Sequence, residues 1–308
     1  MGDNKEKLVS NILNSYDEYA YTSKCDEDNI LNRQIIIDVV DRMQKILYPG
    51  FFEGKKLNSE TRKDTLEEHL EFVEYNLKKQ IEKALAFRED NLDKDARAKE
   101  AERITDNFLQ KIPKIREYLS TDVEAGFAGD PAAFSTDEII FSYPGLSAIT
   151  VYRIAHELYL ENVPLVPRIM TEYAHSVTGI DINPGATIGK YFCIDHGTGI
   201  VIGETTVIKD NVKIYQGVTL GALSTRKGQQ LKGKKRHPTI GNNVTIYSGT
   251  SVLGGDTEIG DDVTIGGNAF IVSSISAGTK VSVKNPELQY SGESSEELNQ
   301  GEFWDWTI

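Results

Sequence analysis

The chain has 308 residues, with 34 Lys and Arg against 47 Asp and Glu and a formal net charge of −13. That negative surplus disfavours nucleic acid as a partner, because phosphate binding rests on positive surface. At 39% hydrophobic and 26% charged residues the composition is that of an ordinary globular protein of about two domains, and no apolar run approaches the 18 or so residues of a membrane-spanning helix.

The start, Met-Gly-Asp-Asn-Lys-Glu, does not resemble a signal peptide, and Glu6 stands where a myristoylation motif wants Ser or Thr. A cytoplasmic location without membrane association is expected. Cys25 and Cys193 form no metal-binding or redox spacing and suit a reducing compartment, Cys193 reading as packing rather than chemistry.

Residues 1–180 read as a helical domain. Amphipathic runs cover roughly 4–20, 28–47, 59–86 and 94–120, the last broken by Pro113. In the third, Leu66, Leu70, Val73, Leu77, Ile81 and Leu85 keep helical spacing, and Thr65 with Glu68 matches a capping box. So charge-dense a block reads as a packing or oligomerisation unit. A turn at Ala128-Gly-Asp-Pro-Ala132 precedes two short helices over 147–162 and 165–177.

From Ile182 the period changes. An aliphatic residue returns every sixth position: Ile182, Ile188, Ile194, then after two extra residues Ile202, Ile208, Ile214 and Leu220. A polar interruption follows, then Ile240, Ile246, Val252, a one-residue slip, and Ile259, Ile265 and Ile271. Small residues such as Ala186, Val212, Val218, Val244, Thr250, Val263 and Ala269 stand four positions later. A β-sandwich would turn about every 8 to 12 residues. The six-residue beat instead looks like the hexapeptide repeat of left-handed parallel β-helices, in which three hexads close a triangular coil that is stable only when stacked. Thirteen hexads predict roughly four coils. The fold class is thus α+β: a helical domain over 1–180, a left-handed β-helix over 181–280, and a tail over 281–308 that is acidic and ends in Phe303-Trp304-Asp305-Trp306-Thr307-Ile308. Its composition favours disorder and its aromatics favour docking.

Chemistry is expected where the repeat fails. Ile194-Asp195-His196-Gly197-Thr198-Gly199 puts an Asp and a His at a coil edge beside chain-opening glycines, which suits a general base or an ordinary surface histidine. Asp181, ahead of the first hexad, reads alone as a turn residue. The stretch from Gly221 to Thr239 carries Arg226, Lys227, Lys232, Lys234, Lys235, Arg236 and His237. So long a loop is functional or merely solvated, and its charge suits an anionic cofactor or a carboxylate. Arg236 and His237, tight against Pro238, are the less idle part.

Taken in order, Asp130-Pro131, Tyr152-Arg153-Ile154-Ala155-His156, Asp181-Ile-Asn-Pro-Gly-Ala186, Asp195-His196 through Glu204, Gln216 through Gly221, and Arg236-His237-Pro238 resemble serine O-acetyltransferases over residues 125–275. The resemblance implies transfer of acetyl from acetyl-CoA to the hydroxyl of L-serine, giving O-acetylserine on the way to cysteine. It implies His196 as general base, Asp181 as its partner, Asp130 and Asp195 on the serine ammonium, and Arg236 and His237 on the serine carboxylate. It implies acetyl-CoA as a co-substrate, held at Ala222, Ser248 and Gly249, and implies no permanently bound cofactor and no metal. A homotrimer or dimer of trimers, inhibition by L-cysteine, and binding of O-acetylserine sulfhydrylase through Ile308 are implied as well. The sequence departs from the family pattern at Asn183, at Ala222, in the longer basic loop, and at Val283-Lys284-Asn285-Pro286. Two other readings are a hexapeptide acetyltransferase for another alcohol such as a sugar, which Asp130, Arg236 and the tail oppose, and a non-catalytic scaffold, which the retained Asp181, Asp195 and His196 oppose. A zinc-dependent carbonic anhydrase on this fold needs three histidines, and only His196 and His237 lie in the repeat.

Overall fold

A computed structural model describes residues 2–25, 29–54, 56–58, 60–88 and 90–284. Ile308, Asn285, Pro286 and the rest of the tail from residue 285 lie outside the described residues. Among those described there are eight α-helices: α1 (Gly2–Glu18), α2 (Arg33–Leu47), α3 (Thr61–Ala84), α4 (Lys94–Gln110), α5 (Ile112–Gly129), α6 (Thr136–Ser142), α7 (Pro144–Leu160) and α8 (Val166–Thr178). None is long and apolar enough to cross a membrane.

Pro113 separates α4 from α5 as expected, sitting in the first turn of α5, where its missing N–H costs nothing. The capping box at Thr65 is not formed. The chain enters α3 four residues earlier, where Asn58 accepts the amides of Glu60 and Thr61 at 2.9 and 2.8 Å. Thr65 and His69 instead lie on the buried face while Leu66 is exposed, because His69 bonds Glu53 at 2.9 Å and Arg42 at 2.8 Å. The short α6 was unanticipated, although Ser135 and Glu138 carry its signal: the Glu138 amide donates to Ser135 Oγ at 3.3 Å, and Glu138 accepts the Phe134 amide at 2.5 Å.

The repeat folds as a left-handed parallel β-helix. In chain order β1 (Asp181–Ile182), β2 (Thr187–Ile188) and β3 (Cys193–Asp195) make the first coil; β4 (Val201–Ile202), β5 (Val207–Ile208) and β6 (Lys213–Tyr215) the second; β7 (Thr219–Gly221), β8 (Thr239–Ile240) and β9 (Thr245–Ile246) the third. β10 (Ser251–Leu253), β11 (Glu258–Ile259) and β12 (Thr264–Ile265) make the fourth, and β13 (Phe270–Ile271) with β14 (Lys280–Val281) the fifth. Stacking gives three parallel faces, β1-β4-β7-β10-β13, β2-β5-β8-β11 and β3-β6-β9-β12-β14. The hexad aliphatics from Ile182 to Ile265 fill the interior, and register aligns them coil on coil, as in Ile194↔Ile214↔Ile246. There are five coils rather than four. Ile275 bridges to Ile259 and Val281 pairs with Ile265, but Ile275 follows Ile271 by only four positions, which hides the last coil from a six-residue count.

Two contacts fix the helices on the coils. Arg153 of α7 and Asp122 of α5 form a buried ion pair at 2.5 and 2.8 Å; Arg153 also donates to the Gly189 carbonyl at 2.8 Å, and the Phe192 amide donates to Asp122 at 3.0 Å. At Gly145 a Cβ would lie 2.5 Å from the Ile194 carbonyl oxygen, so only glycine lets α7 start this close to β3.

Candidate active site

The edge between β3 and β4 collects most of the residues singled out above. His196 sits there with φ of +58°, in the left-handed region. The same edge in later coils uses Gly217, Gly249 and Asn268 at φ of +72°, +70° and +58°. Glycine and asparagine tolerate this conformation, whereas histidine does so at a cost, and such strain concentrates at functional positions. The His196 side chain is 72% exposed, with Nε2 3.7 Å from Asp195 Oδ1.

Asp130 follows α5 directly. Its carboxylate accepts the Tyr143 hydroxyl at 2.6 Å and the Ala132 amide at 2.8 Å. Those two bonds, reinforced by the charges of Lys213 and His196, hold its carboxyl below the usual range, and the same contact pushes the Tyr143 phenol up to about 12. Asp195 ends β3, mostly buried, and binds Lys213 Nζ at 2.9 Å through Oδ2. Asp130, Asp195 and His196 therefore form one anionic cluster open to solvent at the imidazole.

Asp181 lies at the same edge, at the start of β1, but its partner is Arg168 at 3.4 Å; among the described residues no hydrogen bond joins it to His196. Glu172, His175 and Asp181 place one donor atom each within 4.8 Å of one another. Arg168 pairs with both Glu172 and Asp181, so a cation there would meet a fixed positive charge.

Arg236 and His237 stand elsewhere, at the edge between β7 and β8. The Arg236 guanidinium pairs with Glu204, whose other oxygen accepts the Tyr159 hydroxyl at 3.1 Å. Thr205 gathers the turn: its Oγ1 accepts the amides of Arg236 at 2.9 Å and His237 at 3.1 Å, and its amide donates to His237 Nδ1 at 3.0 Å. Burial, and then the charge of Arg236, push the His237 imidazole down to about 4, so the ring is neutral with Nδ1 unprotonated. It lies on Gly203, where a Cβ would fall 2.1 Å from the ring. Lys235 Nζ reaches the carbonyls of Thr205 at 2.8 Å and Pro238 at 3.1 Å; Arg226, Lys227, Lys232 and Lys234 are exposed.

Ser248 and Gly249 share the His196 edge two coils on, whereas Ala222 opens the basic loop at the other edge. Within one chain the residues thus fall into two groups at opposite ends of the β1-β4-β7 face. Tyr143, Glu204, Thr205 and Lys213 complete these groups and were not predicted. For Lys213 the signal was the register, which pairs it with Cys193 and places Tyr215 beside Asp195.

No family model matches the chain. It is 42% identical over 252 residues, covering 79% of each chain, to a serine acetyltransferase of Synechococcus elongatus, and 45% identical over 178 residues, 58% of this chain and 74% of the relative, to that of Staphylococcus xylosus. Among solved structures, serine acetyltransferase isoform 3 of Entamoeba histolytica in complex with cysteine superposes with a TM-score of 0.71 at 38% identity, covering 83% of this chain and 84% of that one. More distant neighbours include the Neisseria gonorrhoeae serine acetyltransferase with serine, covering 81% of this chain and 96% of that one at 27% identity and TM-score 0.53, and a serine acetyltransferase with CoA, covering 80% and 96% at 26% identity and TM-score 0.51.

Proposed function

The chain belongs to the serine acetyltransferase family, and from that premise we propose how its residues divide the transfer of acetyl from acetyl-CoA to L-serine. His196 takes the proton of the serine hydroxyl as that oxygen bonds to the thioester carbonyl carbon. The C–S bond then breaks, and the imidazolium returns the proton to the CoA thiolate. Asp130 and Asp195 hold the serine ammonium. Asp181 receives the imidazolium when the ring turns inward, a reading supported by the edge both occupy and by the long, half-exposed contact that Arg168 makes in its place. Ser248 and Gly249 lie along the coenzyme's path. L-Cysteine, bound in the Entamoeba neighbour, differs from serine only in sulfur for oxygen and competes at the same groups.

The observation that carries the assembly is the separation of the two groups within one chain. Arg236 and His237, which hold the serine carboxylate, stand across a β-helix face from His196, so the site closes when the edge of one copy meets the opposite edge of the next. A three-fold ring closes such a head-to-tail contact, which favours a trimer or a dimer of trimers, with Ala222 reaching the coenzyme from the neighbouring copy. The reaction needs no permanently bound cofactor or metal and suits a cytoplasmic enzyme. The aromatic tail with Ile308 binds the sulfhydrylase that uses the product; deleting Ile308 should abolish that binding in a titration.

Subunit mixing tests the shared site. Trimers assembled from inactive His196→Ala and inactive Arg236→Ala chains should regain about a quarter of wild-type activity, the share of interfaces that join two intact halves. No recovery in trimers of confirmed mixed composition refutes it.

A further inference from the structure

Lys213 is the cation set closest into the acidic cluster, and neither the mechanism above nor the sequence reading gives it a role. It starts β6, one coil beyond Cys193, with its side chain 19% exposed. Its ammonium meets three groups from three elements: Asp195 Oδ2 of β3 at 2.9 Å, the Gly129 carbonyl that ends α5, and the Tyr215 ring, whose centroid lies 4.6 Å away. Tyr215 is itself stacked on Tyr247 at 4.9 Å with planes 19° apart, which steadies the ring under the lysine. At Gly129 a Cβ would lie 3.3 Å from Cys193 Sγ and 3.4 Å from Lys213 Nζ, so the helix end is pressed against this side chain.

We propose that Lys213 is a positioning residue of the serine site, fixing Asp195 between itself and His196 and fastening the end of α5, and with it Asp130, to the second coil. The proposal rests on the assignment of Asp130 and Asp195 to the serine ammonium. The titratable groups that act on the lysine are Asp130, Cys193, Asp195 and Tyr215; behind them, Tyr143 bonds Asp130 and His196 lies 3.7 Å from Asp195. Burial opposes its charge, but the contacts with Tyr215 and Asp195 outweigh that and hold the ammonium above its usual range. The buried Cys193 thiol is pushed up to about 12 and stays neutral.

The consequence is a division of the Asp195 carboxylate. Lys213 binds Oδ2, and Oδ1 faces His196 at 3.7 Å, leaving that oxygen for the substrate ammonium. Without the lysine, Asp195 loses the contact that holds Oδ2 in place and is free to turn away from the substrate ammonium, so serine loses a ligand.

The test uses the assembled enzyme as wild type, Lys213→Met, Lys213→Gln and Lys213→Arg. Initial rates of thiol release are measured against serine and against acetyl-CoA. Lys213→Met and Lys213→Gln should raise the serine KM about tenfold and leave the acetyl-CoA KM within about twofold. Lys213→Arg should restore most of the serine KM. If the methionine variant does not fold, the glutamine variant, which can still donate to Gly129, decides on the same readouts. A serine KM unchanged in the neutral variants overturns the proposal, as does an arginine variant no better than the neutral ones at equal melting temperature. Wild-type enzyme without serine-dependent thiol release overturns the serine assignment itself, and so separates the two failures.

Discussion

Gly203→Ala isolates the seat of His237. Position 203 does not have a positive φ, so alanine suits the backbone, and the three nearest atoms to its Cβ all belong to the His237 ring, the closest at 2.1 Å. The ring must leave, abandoning the Thr205 amide bond at 3.0 Å and a site that leaves His237 only 7% exposed. Leaving a buried amide unpaired costs about 1–3 kcal/mol. The lost environment also carries a pH signature. In the wild type the imidazole falls from 6.5 to about 4 on folding. The unfolded chain therefore binds the proton first as pH drops, and stability is full above pH 6.5 and declines towards pH 4. The decline is about 3 kcal/mol when complete, from 1.36 kcal/mol per unit. The variant, its ring expelled, starts less stable but lacks this decline. Denaturant unfolding of both proteins at about pH 7.5 and about pH 4.5 should show a gap of about 2–4 kcal/mol at the higher pH that shrinks by about 2 kcal/mol at the lower. A gap of equal size at both would refute the buried neutral imidazole.

Three further outcomes follow from the same geometry. Arg153→Met leaves Asp122 buried and unpaired between α5 and the coils and should cost about 3–5 kcal/mol in unfolding experiments, a loss far above that of a surface pair. Tyr143→Phe removes the strongest bond that holds the Asp130 carboxyl down; serine KM should rise as pH falls towards the carboxylate range, starting at higher pH than in the wild type, with the acetyl-CoA KM unmoved. Gly145→Ala puts a methyl 2.5 Å from the Ile194 carbonyl oxygen, and the displaced α7 should lower the melting temperature, read by circular dichroism.

Much of this molecule could be read from one strand of logic, the period of six. It placed the interior residues from Ile182 to Ile271 and marked His196 as the point where the coil opens. It missed the last coil because Ile271 and Ile275 stand too close together to keep the beat. It also missed how the helices close the site, since Tyr143 and Asp130 meet only after α6 folds the chain back, and nothing at Ser142-Tyr143-Pro144 announces a hydroxyl donor. The capping box at Thr65 shows the opposite failure. A valid local motif lost to a better cap at Asn58 and to the buried bonds of His69. The distribution of the site over two edges was invisible in the motifs, because sequence order says nothing of which edge a loop returns to until the coils are counted.

The central claim is that His196 is the base for acetyl transfer to serine. Thiol release from acetyl-CoA, followed with and without L-serine, tests it in wild type and His196→Ala. The wild type should release CoA only when serine is present, and the alanine variant should fall by about 10² to 10⁴ in rate with its melting temperature intact. A His196→Ala enzyme that turns over serine at the wild-type rate would contradict the account.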